Sequence, residues 1–208
     1  MKKTFRFLSI ALLACCMTLV GCNPTPEDEN DDTNNNQNPS VSYSFDGVAD
    51  WPITSSYVGY EYAEGDTLIY VLGSKDAKEL NELINVMDGE EYPSNVFLAS
   101  FLGKPGVQTG VGNILSEETA INAIFITGST VLYDMTIPTG WVSTEMTVNV
   151  SAIDLTGMKV SATASANMKD IIKIFAEAFG LTGIGSDQER VFTLTVNNMT
   201  MTDWWAEK

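Results

Sequence analysis

Alternation of apolar and polar residues dominates the second half of the chain. In segment 141–152, one predicted face carries every second residue: Val142, Thr144, Met146, Val148, Val150 and Ala152. Because residues i and i+2 of a strand lie on the same side of a sheet, this pattern predicts an antiparallel strand with one buried face. A second alternating run, Met158–Ala166, follows the turn-forming residues 153–157. Together the two runs predict a β-hairpin.

Shorter runs of the same kind predict further strands. They occupy Ser42–Val48, Ile53–Tyr62, Thr67–Leu72, Asn95–Leu102, Val107–Leu115, Ile121–Thr127, Thr130–Ile137 and Arg190–Thr202. The apolar run Leu68–Leu72 indicates a strand covered on both faces. Gly128 and Ser129 are turn-forming residues between two of these segments, so they predict a second hairpin within 122–136.

Two segments show helical spacing instead. Residues 76–79 have the form of a capping box, and apolar residues continue at helical spacing to Met87, before Gly89. Asn167 is the predicted N-cap of the second helix, with Asp170 in its first turn. Its apolar stripe, which we expect to face the core, is Ile171, Ile172, Phe175 and Phe179.

These elements predict one mainly β domain over residues 41–208. No repeat of 20–50 residues is visible, which argues against a solenoid or a propeller. We expect an antiparallel β-sandwich or a partly closed barrel, with the two short helices covering an open end or a sheet edge.

The N-terminus has a different pattern, which indicates export. Lys2, Lys3 and Arg6 precede an uncharged, largely apolar run, Phe7–Val20, which is too short to span a bilayer as a helix. The run ends in Leu-Val-Gly-Cys at positions 19–22, which resembles the lipobox of bacterial lipoproteins. The resemblance implies that residues 1–21 are a signal peptide and that Cys22 is acylated. Several acyl chains on Cys22 would anchor the protein stably to a bilayer.

The next residues predict a tether. Residues 23–40 contain no aliphatic or aromatic side chain apart from proline rings, and five acidic residues fall within Glu27–Asp32. Such a segment cannot bury enough apolar surface to offset its chain entropy, so we expect residues 22–40 to be a lipidated cysteine with a disordered linker. An acidic run after a lipidated cysteine resembles the signal that sends Bacteroidota-type lipoproteins to the outer face of the outer membrane. The overall layout likewise resembles small β-rich Bacteroidota surface lipoproteins of unknown function.

Composition narrows the possible chemistry. The chain has 27 acidic and 11 basic residues, no histidine, and three cysteines that all lie before residue 23. Removal of the signal peptide would take away three basic residues and no acidic ones, which changes the formal net charge from −16 to −19. The acidic balance argues against nucleic acid as a partner. The absence of histidine excludes Ser-His-Asp and Cys-His catalysis, and no motif indicates a metal or another cofactor.

Aromatic and hydroxyl side chains supply the remaining candidate sites. Sugar rings stack on tryptophan, so Trp141, Trp204 and Trp205 are candidate ligand-binding residues. Because Trp204 and Trp205 are adjacent, an extended backbone would point them to opposite faces, one toward the core and one outward. Asp66-Thr67-Leu68 fits the pattern on which Bacteroidota glycosylate exported proteins, so Thr67 is a candidate O-glycosylation site.

Three functions remain open on this basis. The first is a surface-displayed lipoprotein with a non-enzymatic domain that binds a glycan or a host protein. The second is a periplasm-facing structural or accessory lipoprotein of an envelope complex. The third is a small hydrolase that uses two carboxylates in a cleft, for which Glu145 is the most interesting acid.

Overall fold

Ten strands and one helix make up the described part of the computed structural model, which covers residues 38–46, 54–63, 65–75, 95–111, 120–132 and 135–203. The strands are β1 (Ser40–Phe45), β2 (Ser55–Ala63), β3 (Asp66–Ser74), β4 (Val96–Leu102), β5 (Gly106–Gly110), β6 (Asn122–Leu132), β7 (Met135–Asp154), β8 (Lys159–Asp170), β9 (Arg190–Thr200) and β10 (Thr202–Asp203). The helix α1 (Ile171–Ala178) lies between β8 and β9. The prediction of a mainly β chain is therefore confirmed.

All ten strands belong to a single sheet, which curls into a half-barrel. Its order is β1-β9-β8-β7-β6-β4-β3-β2-β10, and β5 pairs with β7 beside the end of β6. Neighbours are antiparallel except β10 and β2, which are parallel. Within the described residues there is one curled sheet, and not the two stacked sheets of a sandwich. The sheet is continuous because the long strand β7 pairs with β8 along one edge and with β6 and then β5 along the other.

One buried cluster that draws on nearly all the strands is the main hydrophobic core. Small residues of β8 lie opposite larger ones of β9: Ala166 pairs with Phe192 and Ala164 with Leu194. Phe192 and Phe101 are among the largest fully buried side chains. Burial of each such side chain stabilises the fold by about 1.5–3 kcal/mol.

The hairpin predicted around residues 153–157 is confirmed as β7 and β8. Its turn is held by Asp154, whose Oδ1 accepts hydrogen bonds from the backbone N–H groups of Thr156 (2.9 Å) and Gly157 (2.8 Å). Such a side-chain acceptor stabilises a turn by satisfying backbone donors that the ladder leaves free.

The predicted assignment of faces along β7 is wrong at three residues because the strand contains two bulges. Each bulge inserts one unpaired residue and reverses the alternation. One lies between Ser143 and Glu145 and the other between Val150 and Ala152. Met146, Val148 and Val150 share the core cluster as predicted, whereas Val142 is buried outside that cluster, Thr144 falls in a bulge and Ala152 is exposed.

The predicted second hairpin is also misplaced. β6 continues through Gly128 and Ser129 to Leu132, which pairs with Met135 at the start of β7. The register shifts between Ile126 and Gly128, and Gly128 has a positive φ of 150°. Glycine at this position therefore forms a β-bulge within the strand and not a turn between two strands.

The described helix begins later than predicted. Asn167 belongs to β8, and Asp170 is the N-cap, with its side chain accepting a hydrogen bond from the N–H of Ile172 at 2.8 Å. Phe175 is buried as expected, but Phe179 lies past the helix end and is 59% exposed. The helix predicted over 76–87 lies outside the described residues. Within the described residues, no helix is both long enough and apolar enough to cross a bilayer.

Candidate functional site

Trp141 lies at the end of the core where β7 begins its pairing with β8. It pairs in register with Phe125 of β6 on one side and with Asp170 of β8 on the other. The ring of Phe45 meets the indole edge to face with a centroid distance of 5.2 Å, and the ring of Phe125 lies at 6.3 Å. The indole is therefore fixed by aromatic packing, although Trp141 is only partly buried.

Arg190 stacks on this indole. Its guanidinium carbon Cζ lies 4.6 Å from the centroid of the Trp141 ring and 5.8 Å from that of Phe45. The sheet register explains the placement, because Arg190 pairs with Met168, two residues before the partner of Trp141 on the same strand. Nη1 of Arg190 also donates a hydrogen bond of 2.7 Å to the carbonyl oxygen of Asp46.

Two N–H groups of this stacked pair have no acceptor among the described residues. Nε1 of Trp141 and Nε of Arg190 are both buried, and neither has a hydrogen-bond partner in this part of the chain. A buried unsatisfied donor costs about 1–3 kcal/mol, and more when it is charged. The pair therefore offers two unused donors, one of them cationic, beside an aromatic cluster.

Within the described residues, the charge on Arg190 has no carboxylate partner. Arg190 is the only arginine after residue 22. Lys104, Lys169 and Lys173 each form an ion pair with a carboxylate, whereas Arg190, Lys75 and Lys159 form none among the described residues. Arg190 differs from the two unpaired lysines because its guanidinium stacks on an aromatic ring and has a buried N–H group without an acceptor.

Asp170 does not serve as the missing partner. Its Oδ1 accepts from the N–H of Ile172 at 2.8 Å and its Oδ2 accepts from the N–H of Ser186 at 2.8 Å. Both carboxylate oxygens are thus used to cap α1 and to hold the loop that follows it. Sequence reasoning missed Arg190, and the signal that could have found it is its status as the single arginine of an acidic domain.

The two other candidate tryptophans, Trp204 and Trp205, lie outside the described residues. Asp203, which precedes them, pairs with Tyr60 on β2. Following the strand register from Trp141 across β6, β4 and β3 leads to Ser56 on β2. Ser56 lies four residues before Tyr60 on that strand. At ~3.3 Å per residue this is roughly 13 Å along the strand. The described residues therefore do not bring Trp141 next to the segment that leads into Trp204.

The edge at Asp203 has an aromatic feature of its own. Tyr62 is 66% exposed, and its ring meets that of Tyr60 edge to face at a centroid distance of 5.6 Å. Burial is the main cause that raises the pKa of Tyr60, and the charge of Asp203 raises it further. Tyr62 is thus an accessible aromatic ring near the end of the described chain.

Thr67, the candidate glycosylation site, is buried in β3. It is 8% exposed and pairs with Tyr62, and a Cβ atom on Gly103 would lie 3.1 Å from the Thr67 Cβ. The side chain of Thr67 is therefore mostly covered in the folded strand, and glycosylation at Thr67 stays a prediction.

The described acidic residues do not form a cleft of paired carboxylates. Glu145 is exposed, and no aspartate or glutamate is buried among the described residues. Asp187 pairs with Lys173 at 2.7 Å, and this hydrogen bond lowers the pKa of Asp187 and raises that of Lys173. Within the same residues, no group of three or more potential metal ligands occurs. The acidic loop 88–91 lies outside the described residues.

No protein family, curated protein or solved structure matches the chain. The site at Trp141 and Arg190 is therefore defined by its geometry and its chemistry. Cys22 and residues 1–37 lie outside the described part of the chain.

Proposed function

We propose that this protein is a lipid-anchored binding protein of the bacterial outer membrane, displayed at the cell exterior, and that its β domain binds a glycan without chemical catalysis. The observation that carries the proposal is the stacked pair of Trp141 and Arg190, with its two buried unpaired donors. Unused donors beside an aromatic cluster are suited to a ligand rich in oxygen acceptors.

A glycan fits this chemistry better than an apolar ligand. Sugar hydroxyl, ring and carboxyl oxygens accept hydrogen bonds, and the C–H faces of sugar rings pack on aromatic side chains. An apolar ligand would leave the Arg190 and Trp141 donors unsatisfied, with the full desolvation cost retained. The exposed Tyr62 at the other end of β2 is a second aromatic surface available for sugar stacking.

The anchor and the location rest on the N-terminal sequence. The lipobox-like Leu-Val-Gly-Cys at positions 19–22 supports acylation of Cys22, and the acidic run after it supports export to the outer face. Two or more acyl chains give stable anchoring. A formal net charge of −19 would keep the domain away from anionic lipid headgroups, so the chain after Cys22 would hold the domain at a distance.

A glycan array tests the binding function. The mature chain from residue 22 would carry Cys22→Ser so that it stays unacylated, and it would be compared with the same chain carrying Arg190→Met. We expect the first protein to bind a subset of glycans and the second to lose that binding. Absence of any glycan binding by either protein, with binding to a host protein instead, would contradict the proposed ligand class.

Protease treatment of intact cells tests display. A domain at the cell exterior is removed before lysis, whereas a periplasm-facing accessory lipoprotein survives until the outer membrane is opened. We expect removal from intact cells, with a periplasmic protein monitored as the control for membrane integrity. Survival of the domain in intact cells would favour the periplasm-facing alternative.

A further inference from the structure

We infer that the site at Trp141 and Arg190 takes a carboxylate, so that the ligand is a glycan bearing a sugar acid such as a uronic or sialic acid. This inference rests on the proposed glycan-binding function and narrows it to one chemical class. Three observations on the described residues carry it: the stacked geometry, the two donors without an acceptor there, and the absence of a carboxylate paired with Arg190.

The donor set matches a carboxylate. A guanidinium presents several N–H groups in a planar fork that fits the two oxygens of a carboxylate. Those oxygens have about four acceptor positions, enough to take the Nε–H of Arg190 and a neighbouring indole N–H at the same time. A neutral hydroxyl would accept these hydrogen bonds but would leave the charge of Arg190 without a counter-ion.

The surroundings favour a single carboxylate over a dense polyanion. Lys169 and Lys173 are each paired with a carboxylate, so they do not extend the positive charge of Arg190 into a basic patch. Two exposed acidic residues lie close to Arg190. Asp46 accepts the Arg190 hydrogen bond through its backbone carbonyl, and Glu189 directly precedes Arg190 in the chain. A polysulfated chain would meet these acids along its length, whereas one carboxylate meets mainly the guanidinium.

Access to the site requires a small movement of Arg190. Trp141 and Arg190 are partly exposed as residues, although their Nε1 and Nε atoms are buried. Arg190 begins β9, and its side chain donates one hydrogen bond, to the Asp46 carbonyl. A rotation of the Arg190 side chain would exchange its hydrogen bond to the Asp46 carbonyl for charge-assisted hydrogen bonds to a ligand carboxylate. This rotation leaves the backbone pairing of β9 with its neighbouring strands unchanged.

A matched pair of ligands tests the inference. The mature chain with Cys22→Ser would be titrated with an oligosaccharide that ends in a uronic acid and with its carboxyl-reduced, neutral form. We expect the acidic form to bind about tenfold to a hundredfold more tightly, the range of a charge-assisted hydrogen-bonded pair. Equal binding of the two forms would overturn the carboxylate inference and leave glycan binding standing, whereas binding to neither would overturn both.

Variants distinguish the site from a general charge effect. Arg190→Met removes the fork and the charge, and Lys104→Met removes one positive charge from the exposed pair with Asp66. We expect the first to lower affinity for the acidic sugar by at least about tenfold and the second to change it less than about twofold. If both variants weaken binding equally, or if peptides with a free C-terminal carboxylate bind as tightly as the acidic sugar, the inference is wrong. The far-ultraviolet circular dichroism of each variant would show that the fold is kept.

Discussion

A Cβ atom on Gly140 would lie 1.9 Å from the carbonyl oxygen of Phe125. Gly140 has a positive φ of 141° and pairs with Ile126 in the β6–β7 ladder. The close approach brings the backbone of β7 against β6 directly before Trp141. Gly140 therefore helps to position the indole on which Arg190 stacks, because Trp141 is the next residue in the chain and its backbone is held by this close approach of β7 to β6.

Gly140→Ala should destabilise the domain by about 3 kcal/mol or more, since it combines a strained φ with a backbone clash. Gly106→Ala is the matched control: Gly106 also has a positive φ, of 104°, but a Cβ atom there meets nothing within 4 Å. Gly106→Ala should lower the free energy of unfolding only through the strain of a positive φ, by about 1–2 kcal/mol. Urea unfolding measures both, and equal losses would show that the contact with Phe125 is not tight.

The turn between β7 and β8 should make stability depend on pH through Asp154. Hydrogen bonds from the backbone N–H groups of Gly157 and Thr156 lower the pKa of Asp154. A lowered folded-state pKa gives a stabilising contribution that is present above the unfolded-state value and is lost as the pH falls through the folded-state value.

Asp154→Ala should therefore lower the urea midpoint at neutral pH and have a progressively smaller effect as the pH falls through the lowered folded-state pKa of Asp154 and the wild-type carboxylate takes up a proton. Asp154→Asn keeps an oxygen acceptor without the charge, so its urea midpoint at neutral pH should fall between those of the wild type and Asp154→Ala. A loss for Asp154→Ala that does not change with pH across the acidic range would mean that the charged form is not favoured by the turn.

Local sequence signals predicted most of the strands. Pairing between strands that are distant in the chain decided where bulges occur and where the helix begins. Alternation and the turn-forming residues 153–157 predicted the β7–β8 hairpin, because both signals lie within one short stretch of sequence. Gly128 was misassigned since glycine favours both turns and bulges, and only the partner strand decides between them. Asn167 and Asp170 are both good N-caps, and the β8–β9 pairing extends the strand past the first of them.

The candidate site shows the same limit. Trp141 was singled out from its residue type, but its contact with Arg190 depends on two strands separated by 49 positions in the chain. No short-range pattern encodes that contact. The unpaired donors are visible only when the side chains are in place, whereas the isolation of one arginine in an acidic domain was already present in the composition.

The tether makes a prediction about proteolysis. Limited digestion of the mature chain should cut first within residues 23–39, because this segment has no aliphatic or aromatic side chain, apart from proline rings, with which to pack. The β7–β8 hairpin should resist, since both strands are hydrogen-bonded on two sides. Mass spectrometry of the first fragments locates the cuts, and early cleavage within 142–166 would contradict the predicted order.

Acylation of Cys22 gives a second prediction for the N-terminus. Intact-mass analysis of the mature protein should find a chain that begins at a lipid-modified Cys22. Cys22→Ala should block removal of the signal peptide by the lipoprotein route and leave the precursor, with residues 1–21 attached. An unmodified N-terminus at another residue would show that positions 19–22 are not a lipobox.

Trp141→Phe separates ligand binding from packing at the site. The variant keeps an aromatic ring beside Phe45 and removes the unpaired indole N–H. Relief of a buried unsatisfied donor, about 1–3 kcal/mol, opposes the loss of packing volume, so the free energy of unfolding should change by less than about 1.5 kcal/mol.

The most direct measurement is therefore the glycan affinity of Trp141→Phe, taken with its free energy of unfolding on the same preparation. If Trp141 and Arg190 form the binding site, affinity should fall by about fivefold or more while stability stays nearly constant. Unchanged affinity, or a loss of stability of about 3 kcal/mol with no specific loss of binding, would show that the indole serves only to pack the end of the core.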